Sequence, residues 1–137
     1  MKKLMIVLMM VVLVSCEKEN TKEKIFDPET FIGAWDYCPQ LPGGFLRITV
    51  SPGVIVTKME RGYKDGLGVI QYSSTERLLV GTTTLQGETL QFTATSSREG
   101  DSYEMSCTLD AAGNLKGFWI YRNNNYIETG EYIFKKQ

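Results

Sequence analysis

Apolar and polar residues alternate along most of the chain after residue 33. In the segment 46–50, Leu46, Ile48 and Val50 alternate with Arg47 and Thr49. Successive side chains of a strand point to opposite faces, so this alternation predicts a half-buried β-strand. The same reasoning, with turn-forming residues as boundaries, predicts further strands along the chain. The predicted segments are residues 34–38, 46–50, 54–59, 67–72, 76–84, 90–94, 103–109, 115–121 and 126–135.

The connections between these segments are short, and none has the period of a helix that would join two parallel strands. Consecutive strands are therefore expected to pair as antiparallel neighbours in a meander. An open meander leaves two unpaired edges, whereas closure into a barrel removes both. The pattern thus predicts an all-β fold, namely an antiparallel up-and-down barrel of eight to ten strands, in preference to an open sandwich.

A short helical turn is expected just before the first strand. Asp27 can cap it, because a carboxylate at this position accepts hydrogen bonds from the free backbone N–H groups of the first turn. Pro28 fits the first helical position, where its missing N–H costs nothing, and Gly33 can end the turn with a positive φ. Residues 27–33 are too few for a helix that is stable alone, so the turn must pack against the domain.

The segment from Phe31 to Trp35, with Gly33 at its centre and only short strands after it, resembles the start of the lipocalin-like and fatty-acid-binding-protein-like β-barrels. The resemblance implies that Trp35 closes the bottom of an up-and-down barrel. It also implies an arginine near the last strands that lies over this tryptophan, and Arg122 is the nearest match. The alternative is that a glycine precedes a buried aromatic residue by chance, because short motifs often match by accident.

The first sixteen residues have the features of a bacterial lipoprotein signal. Lys2 and Lys3 precede an unbroken apolar run over residues 4–14. This run is shorter than the about 20 residues that a transmembrane helix needs, and it suits a secretory signal. It ends in Ser15 and Cys16, which resemble the bacterial lipobox. The resemblance implies cleavage after residue 15 and attachment of two or three acyl chains through Cys16, enough for stable membrane anchoring.

The residues between Cys16 and Ile25 are polar and have no apolar period, which is typical of a flexible tether. Glu17, directly after the expected lipid-bearing cysteine, resembles the export signal of surface lipoproteins of Bacteroidetes. We therefore expect a signal peptide at residues 1–15, a lipidated tether at 16–25 and a lipocalin-like barrel domain at 26–137. The expected location is the cell envelope, with the lipid in the outer membrane and the barrel on its periplasmic face or at the cell surface.

Composition narrows the possible functions. Without residues 1–15 the chain has 122 residues, enough for one domain with one core, and carries 13 basic and 16 acidic residues. It has no basic patch, so nucleic acid is not an expected partner. Histidine is absent from the sequence, which removes the commonest general base and metal ligand. A Ser-His-Asp site is therefore excluded, and we expect no catalytic site, metal or cofactor.

Two cysteines, Cys38 and Cys107, remain beside the predicted lipid-bearing Cys16. An oxidising compartment would allow them to form a disulfide, but only the geometry of the fold decides whether they meet. The alternative is two separate thiols that behave as small apolar side chains. Both interpretations stay open at this point.

Aromatic residues are concentrated late in the chain and supply the candidate ligand site. Alternation places Trp119 and Tyr121 on one face of their strand. We expect these two residues, together with Trp35 and Tyr103, to form the apolar walls of a cavity, with Arg47 as its polar anchor. This arrangement predicts a non-catalytic protein that binds a small apolar or amphipathic molecule inside the barrel.

Two alternatives remain for the role of the barrel. The aromatic residues could fill its interior completely, because small barrels are often packed solid with side chains. The protein could instead be an accessory or structural envelope lipoprotein that docks a protein or glycan partner. In that case the partner would contact the barrel surface or the loop at residues 39–44.

Overall fold

The computed structural model describes residues 25–72, 75–96 and 100–137 of the chain. In these residues a 3₁₀ turn, Pro28–Phe31, is followed by nine strands. The strands are β1 (Gly33–Tyr37), β2 (Gly43–Ser51), β3 (Ile55–Lys64), β4 (Glu76–Val80), β5 (Thr84–Gln86), β6 (Thr89–Thr95), β7 (Ser102–Leu109), β8 (Leu115–Arg122) and β9 (Ile127–Lys136). The predicted signal peptide, Cys16 and nearly all of the predicted tether lie outside the described residues. Within the described ranges, no helix has the length and apolar character needed to cross a bilayer.

Eight of the nine strands form a closed antiparallel barrel. Consecutive strands pair from β1 to β4 and from β6 to β9. The ring closes where β1 pairs with β9 through Trp35 and Lys136, and where β4 pairs with β6 through Val80 and Ala94. Every strand of the ring therefore has two neighbours, which removes the exposed edges of an open meander. The predicted all-β, antiparallel up-and-down barrel of eight to ten strands is confirmed.

The fourth position of the ring is an interrupted strand. β4 and β5 lie end to end along the same side of β6, with Val80 opposite Ala94 and Leu85 opposite Leu90. Between them the Gly81 N–H donates a hydrogen bond to the Thr93 carbonyl at 2.8 Å, and the register then shifts by one residue. The single strand predicted over residues 76–84 is therefore two strands.

The strand predicted over residues 67–72 is wrong. β3 continues to Lys64, and the Asp65 carboxylate then accepts hydrogen bonds from the backbone N–H groups of Leu67 and Val69, at 2.9 and 3.0 Å. A side chain that satisfies backbone groups locally in this way competes with strand pairing. The segment accordingly forms a turn, and Ile70 makes only an isolated bridge to Lys64.

The 3₁₀ turn and Trp35 close one end of the barrel. Asp27 caps the turn by accepting a hydrogen bond from the Glu29 N–H at 3.0 Å, so the predicted N-terminal turn is confirmed. The indole Nε1 of Trp35 donates a hydrogen bond to the Phe31 carbonyl at 2.8 Å. Both aromatic side chains are buried, at 1% and 0% exposure. Together they form an apolar plug whose one polar atom, the indole nitrogen, has a partner.

A cation lies over the Trp35 ring, but it belongs to Lys136. The Lys136 Nζ is 5.2 Å from the ring centroid, within the range of a cation–π interaction. Gly33 makes room for this lysine, because a Cβ at position 33 would come within 2.8 Å of the lysine Cε, and the φ of +138° also favours glycine. Arg122 instead pairs with Glu104 at 3.2 Å in a solvent-exposed ion pair. The prediction that Arg122 lies over Trp35, as the corresponding arginine does in lipocalin-like barrels, is therefore wrong.

The half of the interior next to this plug is packed solid. Its inward side chains are apolar and at most 3% exposed. They include Ile48, Val50, Met59, Leu78, Leu90, Met105, Leu115 and Phe134. The expectation of a completely filled barrel therefore holds for this half of the interior.

Candidate ligand site at the open end of the barrel

At the end of the barrel away from Trp35, the interior opens into a cleft of about 540 Å³. On several strands, the residue two positions beyond the packed core lines this cleft: Arg61 follows Met59 in this way, and Tyr103 precedes Met105. Side chains two positions apart on a strand share a face, so these residues point to the same interior as the core. The inward side chains that line the cleft are Tyr37, Leu46, Arg61, Tyr63, Glu76, Tyr103 and Tyr132.

A partly buried charged cluster lies at one side of the cleft. The Arg61 Nε donates a hydrogen bond to Glu76 Oε2 at 2.7 Å, and the Arg61 Nη1 lies 3.3 Å from Asp101 Oδ2. The Ser96 hydroxyl donates to the other oxygen of Glu76 at 2.5 Å. Asp101 is only 3% exposed. Because a buried charge is unfavourable unless it is paired, the position of Arg61 between two carboxylates is what allows this cluster inside the barrel.

Tyr103, Tyr121 and Tyr132 are neutral phenols at neutral pH. Burial raises the pKa of Tyr132 to about 12, and a hydrogen bond with Asp101 raises the pKa of Tyr121 to about 12. Burial also raises the pKa of Tyr103 and outweighs the opposing hydrogen bond from Arg61. The open end therefore offers hydroxyl groups that can both donate and accept hydrogen bonds.

Arg61 keeps its positive charge inside the cleft. Burial by itself would lower the pKa of Arg61, but its hydrogen bonds to Glu76 and Tyr103 outweigh that effect and raise the pKa above its ordinary value. Arg61 is thus a permanent cation. In the part of the chain that the structure describes, no group of three or more His, Cys, Asp or Glu residues is placed to hold a metal ion. The cleft presents fixed charges, neutral hydroxyls and aromatic faces to a bound molecule.

An aromatic wall runs from the cleft toward the packed core. The Tyr37 and Tyr132 ring centroids are 4.2 Å apart, and Tyr132 stacks on Trp119 with 5.1 Å between centroids. The Trp119 ring lies against Gly130, where a Cβ would come within 2.5 Å of the indole Cζ2. The indole Nε1 of Trp119 is buried and has no hydrogen-bond acceptor among the described residues. A buried donor of this kind is unfavourable, so it marks a polar position in an otherwise apolar wall.

Three of the five predicted ligand residues come together at this open end. Tyr103 lines the cleft, and Tyr121 lies beside it with 5.1 Å between the ring centroids. Trp119 lies behind Tyr132, one layer closer to the core. Trp35 belongs to the closed end and does not line the cleft.

Arg47 lies on the outer face of β2, so its predicted role as a polar anchor inside the cavity is wrong. Its neighbours Leu46 and Ile48 are buried in the core, which places Arg47 on the opposite face of the strand. There its guanidinium donates two hydrogen bonds of 2.7 Å to the Asp36 carboxylate. Lys64 donates to the same carboxylate at 2.8 Å.

Three charged residues of the interior, Arg61, Glu76 and Asp101, were not among the predicted site residues. Each of them continues an inward-facing series: Glu76 stands two positions from buried Leu78, and Asp101 stands two positions from Tyr103. The signal that could have identified Glu76 and Asp101 is a charged residue at a position where the alternating pattern calls for an apolar one. Such a residue needs a partner on a neighbouring strand, and Arg61 and Glu76 are register partners on β3 and β4.

The structure shows two separate thiols at Cys38 and Cys107 rather than a disulfide. Cys107 lies on the inner face of β7 and is fully buried. Cys38 follows β1, and its thiol donates to the Gln40 carbonyl at 3.4 Å. Burial raises the pKa of Cys107 to about 12, so its reactive thiolate is suppressed at neutral pH.

We expect iodoacetamide at pH 8 to label Cys38 at least about tenfold faster than Cys107 in the native full chain, because only the thiolate reacts and Cys107 is both buried and protonated. Peptide mass spectrometry after timed labelling measures the two rates separately. Labelling in guanidinium without reductant is the control and should modify both residues. If neither residue reacts until a reductant is added, the two cysteines form a disulfide and the structural assignment is wrong.

The open end of the barrel combines a cleft, an aromatic wall and a partly buried ion-pair cluster. Closed antiparallel barrels serve many unrelated functions, so the function must be argued from this site rather than from the fold. A scan against models of protein families, a search of curated proteins and a search of solved structures each find no match to this chain.

Proposed function

We propose that this chain is a lipid-anchored protein of the cell envelope that binds a small amphipathic molecule in the open-end cleft, without catalysing a reaction on it. The observation that carries the proposal is the division of the interior into a solid half and an open half. The open half holds a volume of about 540 Å³, within the range of about 300–1,000 Å³ that is usual for sites of small molecules. Such sites are mostly apolar with a few polar groups, as this one is.

The walls and the polar groups of the cleft support different parts of such a ligand. The rings of Tyr37 and Tyr132, backed by Trp119, offer flat apolar surface to a hydrocarbon or aromatic body. The Tyr103 hydroxyl and the ion pair of Arg61 with Glu76 offer hydrogen-bonding partners on the other side. A molecule with one apolar and one polar part satisfies both sides at once.

The membrane part of the proposal rests on the signal at residues 1–16, whose apolar run ends at Ser15 and Cys16. The described chain begins at Ile25, which lies with Trp35 in one depression at the closed end of the barrel. A tether from Cys16 would therefore reach the barrel at its closed end. The ligand cleft lies at the opposite end of the barrel.

Native mass spectrometry of the full chain extracted from bacterial envelopes tests this proposal. We expect a bound small molecule in the wild-type protein and its loss in Gly44→Trp. Gly44 is at an inward position opposite Tyr63 and lines the cleft. A Cβ at this position meets only the Gly62 carbonyl, at 3.7 Å, so the indole can project into the cleft without a backbone clash.

The matched control is the same substitution at Gly66, in the connection between β3 and β4. A Cβ there meets no atom within 4 Å, and Gly66 does not line the cleft. The bound molecule should persist in Gly66→Trp. Bare protein in the wild type and in both variants, or a ligand retained in Gly44→Trp, would contradict binding in the cleft.

A second candidate function is favoured by the loops around the mouth of the cleft. They expose large apolar side chains, with 52% of Leu41, 90% of Leu67 and 86% of Tyr72 accessible. The loops adjoin each other, because a Cβ at Gly68 would lie 3.7 Å from the Leu41 Cδ1. Exposed apolar patches mark interaction surfaces in many proteins. We therefore keep, as the second proposal, an accessory lipoprotein that docks a protein or glycan partner through these loops.

A further inference from the structure

The inner face of the open end carries an excess of negative charge. Among its described residues, Arg61 is the one cation, and it stands against the carboxylates of Glu76 and Asp101. Glu128 adds a third carboxylate at the rim, where it is the register partner of Tyr121, and its charge contributes to the raised pKa of Tyr132.

The cations on the outer faces of β2 and β3 do not offset this negative charge inside the barrel. Arg47 and Lys64 both bind Asp36, at 2.7 and 2.8 Å. Glu60 is the register partner of Arg47 and interacts with it electrostatically. Arg77, on the other side of Glu60, is a third outer cation and is exposed to solvent, which screens its charge. The field inside the cleft is therefore set mainly by the inner residues.

An anionic ligand would meet unfavourable surroundings here. Arg61 already contacts two carboxylates, with 2.6 Å between its Nη2 and Glu76 Oε2 and 3.3 Å between its Nη1 and Asp101 Oδ2. A carboxylate placed in the cleft would be the third anion around one guanidinium, with Glu128 as a further repulsive charge at the rim. Like charges in a partly water-excluded site disfavour each other by more than they would in bulk water.

A cationic ligand would meet both attractive charge and suitable surfaces. The cleft is lined by Tyr37, Tyr63, Tyr103 and Tyr132, and the negative face of a tyrosine ring attracts ammonium groups, most strongly when these are desolvated. Aromatic walls also accommodate methyl or methylene groups on the ammonium nitrogen. The two properties of the cleft, net negative charge and a tyrosine lining, point to the same kind of ligand.

We infer that the cleft selects a small organic cation, a substituted ammonium group on an apolar or aromatic body, over neutral or anionic molecules of the same size. This inference rests on the proposed function, since it names the class of ligand for that cleft. It replaces the sequence-based expectation of Arg47 as the polar anchor of the cavity, because Arg47 is outside the barrel and Arg61 is held between two carboxylates.

The test compares three probes that share a benzyl group and differ in charge: benzyltrimethylammonium, benzyl alcohol and phenylacetate. Equilibrium dialysis or titration calorimetry measures their affinities for the full chain in lipid nanodiscs, with empty nanodiscs as the reference for partitioning into lipid. We expect benzyltrimethylammonium to bind at least about tenfold more tightly than phenylacetate, with benzyl alcohol between them.

Glu128→Gln tests whether negative charge at the rim of the cleft contributes to cation binding. Glu128 is exposed, and its replacement leaves the cluster of Arg61, Glu76 and Asp101 intact. Its affinity for benzyltrimethylammonium should fall about threefold, the size expected for one exposed charge. Glu131→Gln, on the same strand but opposite Phe118 on the outer face, is the matched control and should leave the affinity unchanged. Gly44→Trp should remove binding of the cation altogether.

The outcomes separate this inference from the proposed function. Equal affinities for the three probes, or a preference for phenylacetate, would leave a small-molecule site in place but overturn the selection of cations. An equal loss of affinity in Glu128→Gln and Glu131→Gln would also overturn it, because the effect would then come from the overall charge of the protein. No binding of any probe would overturn the proposed function and the inference with it.

Discussion

Replacing Trp35 with alanine will lower the free energy of unfolding by about 3–5 kcal/mol, the range for buried tryptophan truncated to alanine. Trp35 is 1% exposed and closes the barrel from the inside. The substitution removes the indole from the plug, leaves the Phe31 carbonyl without the hydrogen bond that Trp35 donates at 2.8 Å, and takes away the ring beneath Lys136. Because small domains are stable by only about 5–15 kcal/mol, a large part of the native stability is lost.

Urea unfolding followed by circular dichroism measures this loss. Phe118→Ala is the control, because Phe118 is an aromatic residue of β8 that is 47% exposed on the outside of the barrel. Its replacement should change the free energy of unfolding by about 0.5 kcal/mol or less, as is usual for surface positions. If the two variants lose similar amounts of stability, the buried Trp35 side chain contributes no more than an exposed aromatic residue, and the prediction is wrong.

Asp36→Asn will cost about 3 kcal/mol of stability near pH 7, at the lower end of the range for a buried ion pair that loses one member. The Asp36 side chain is 3% exposed and bridges Arg47 and Lys64. An amide cannot neutralise the two cations, which the substitution leaves close together on the outer face. The cost is at the lower end of the range because the Arg47 side chain keeps 27% of its surface in contact with solvent.

The same pair of proteins should show a defined pH dependence. Burial by itself would raise the pKa of Asp36, but its hydrogen bonds to Arg47 and Lys64 and their charges outweigh it and hold the pKa below the ordinary value. A depressed carboxyl pKa contributes stability that is complete above the unfolded pKa of about 3.9 and is lost as the pH falls through the folded value. The difference in stability between wild type and Asp36→Asn is therefore largest at pH 6–7 and shrinks as the pH falls below about 4.

Urea titrations from pH 2.5 to pH 7 on both proteins measure this difference directly, since every other group titrates in both. Glu104→Gln is the control for replacing a carboxylate by an amide. Its ion pair with Arg122 is exposed, at 50% and 42% of the side-chain surfaces, and such pairs contribute about 0–1 kcal/mol. A stability difference for Asp36→Asn that stays constant down to pH 2.5 would contradict a role for the Asp36 charge.

Much of the fold followed from local patterns in the sequence. Leu46, Ile48 and Val50 alternate with polar residues. This pattern predicts a strand with one buried face, whichever strands it pairs with. Asp27 and Pro28 define the turn before the first strand because capping depends on neighbouring atoms alone. The preference for a closed barrel followed from the energy of unpaired strand edges, which any long meander must avoid.

The bounds of two strands could not be predicted in the same way. Residues 67–72 have an apolar pattern, but the Asp65 side chain satisfies their backbone in a turn. Residues 76–84 look like one strand, but the register along β6 shifts by one residue near Gly81. In the first place a hydrogen-bonding side chain next to the segment outcompetes strand pairing. In the second place the pairing partner on β6, which is distant in sequence, decides the outcome.

A shift in strand register also decided which residues form the ligand site. Val56 and Met59 are both buried although they are three residues apart, because the pairing of β2 with β3 is irregular between Thr49 and Val50. This irregularity reverses the facing of the rest of β3 and turns Arg61 into the barrel. A shift of one residue in register moves every following side chain to the other face, so Arg61 cannot be assigned to the interior from its neighbours in sequence.

By itself, then, the sequence determined the fold class and the turn before the first strand, because both follow from the patterning of neighbouring residues. The position of Trp35 at the closed end was implied by a resemblance to other barrels. The tertiary structure alone decided which arginine is inside, that Cys38 and Cys107 do not meet, and that the interior is solid in one half and open in the other. These properties depend on strand register and on contacts between residues that are far apart in the chain. The same contacts set the charge of the cleft, and with it the class of ligand that we propose.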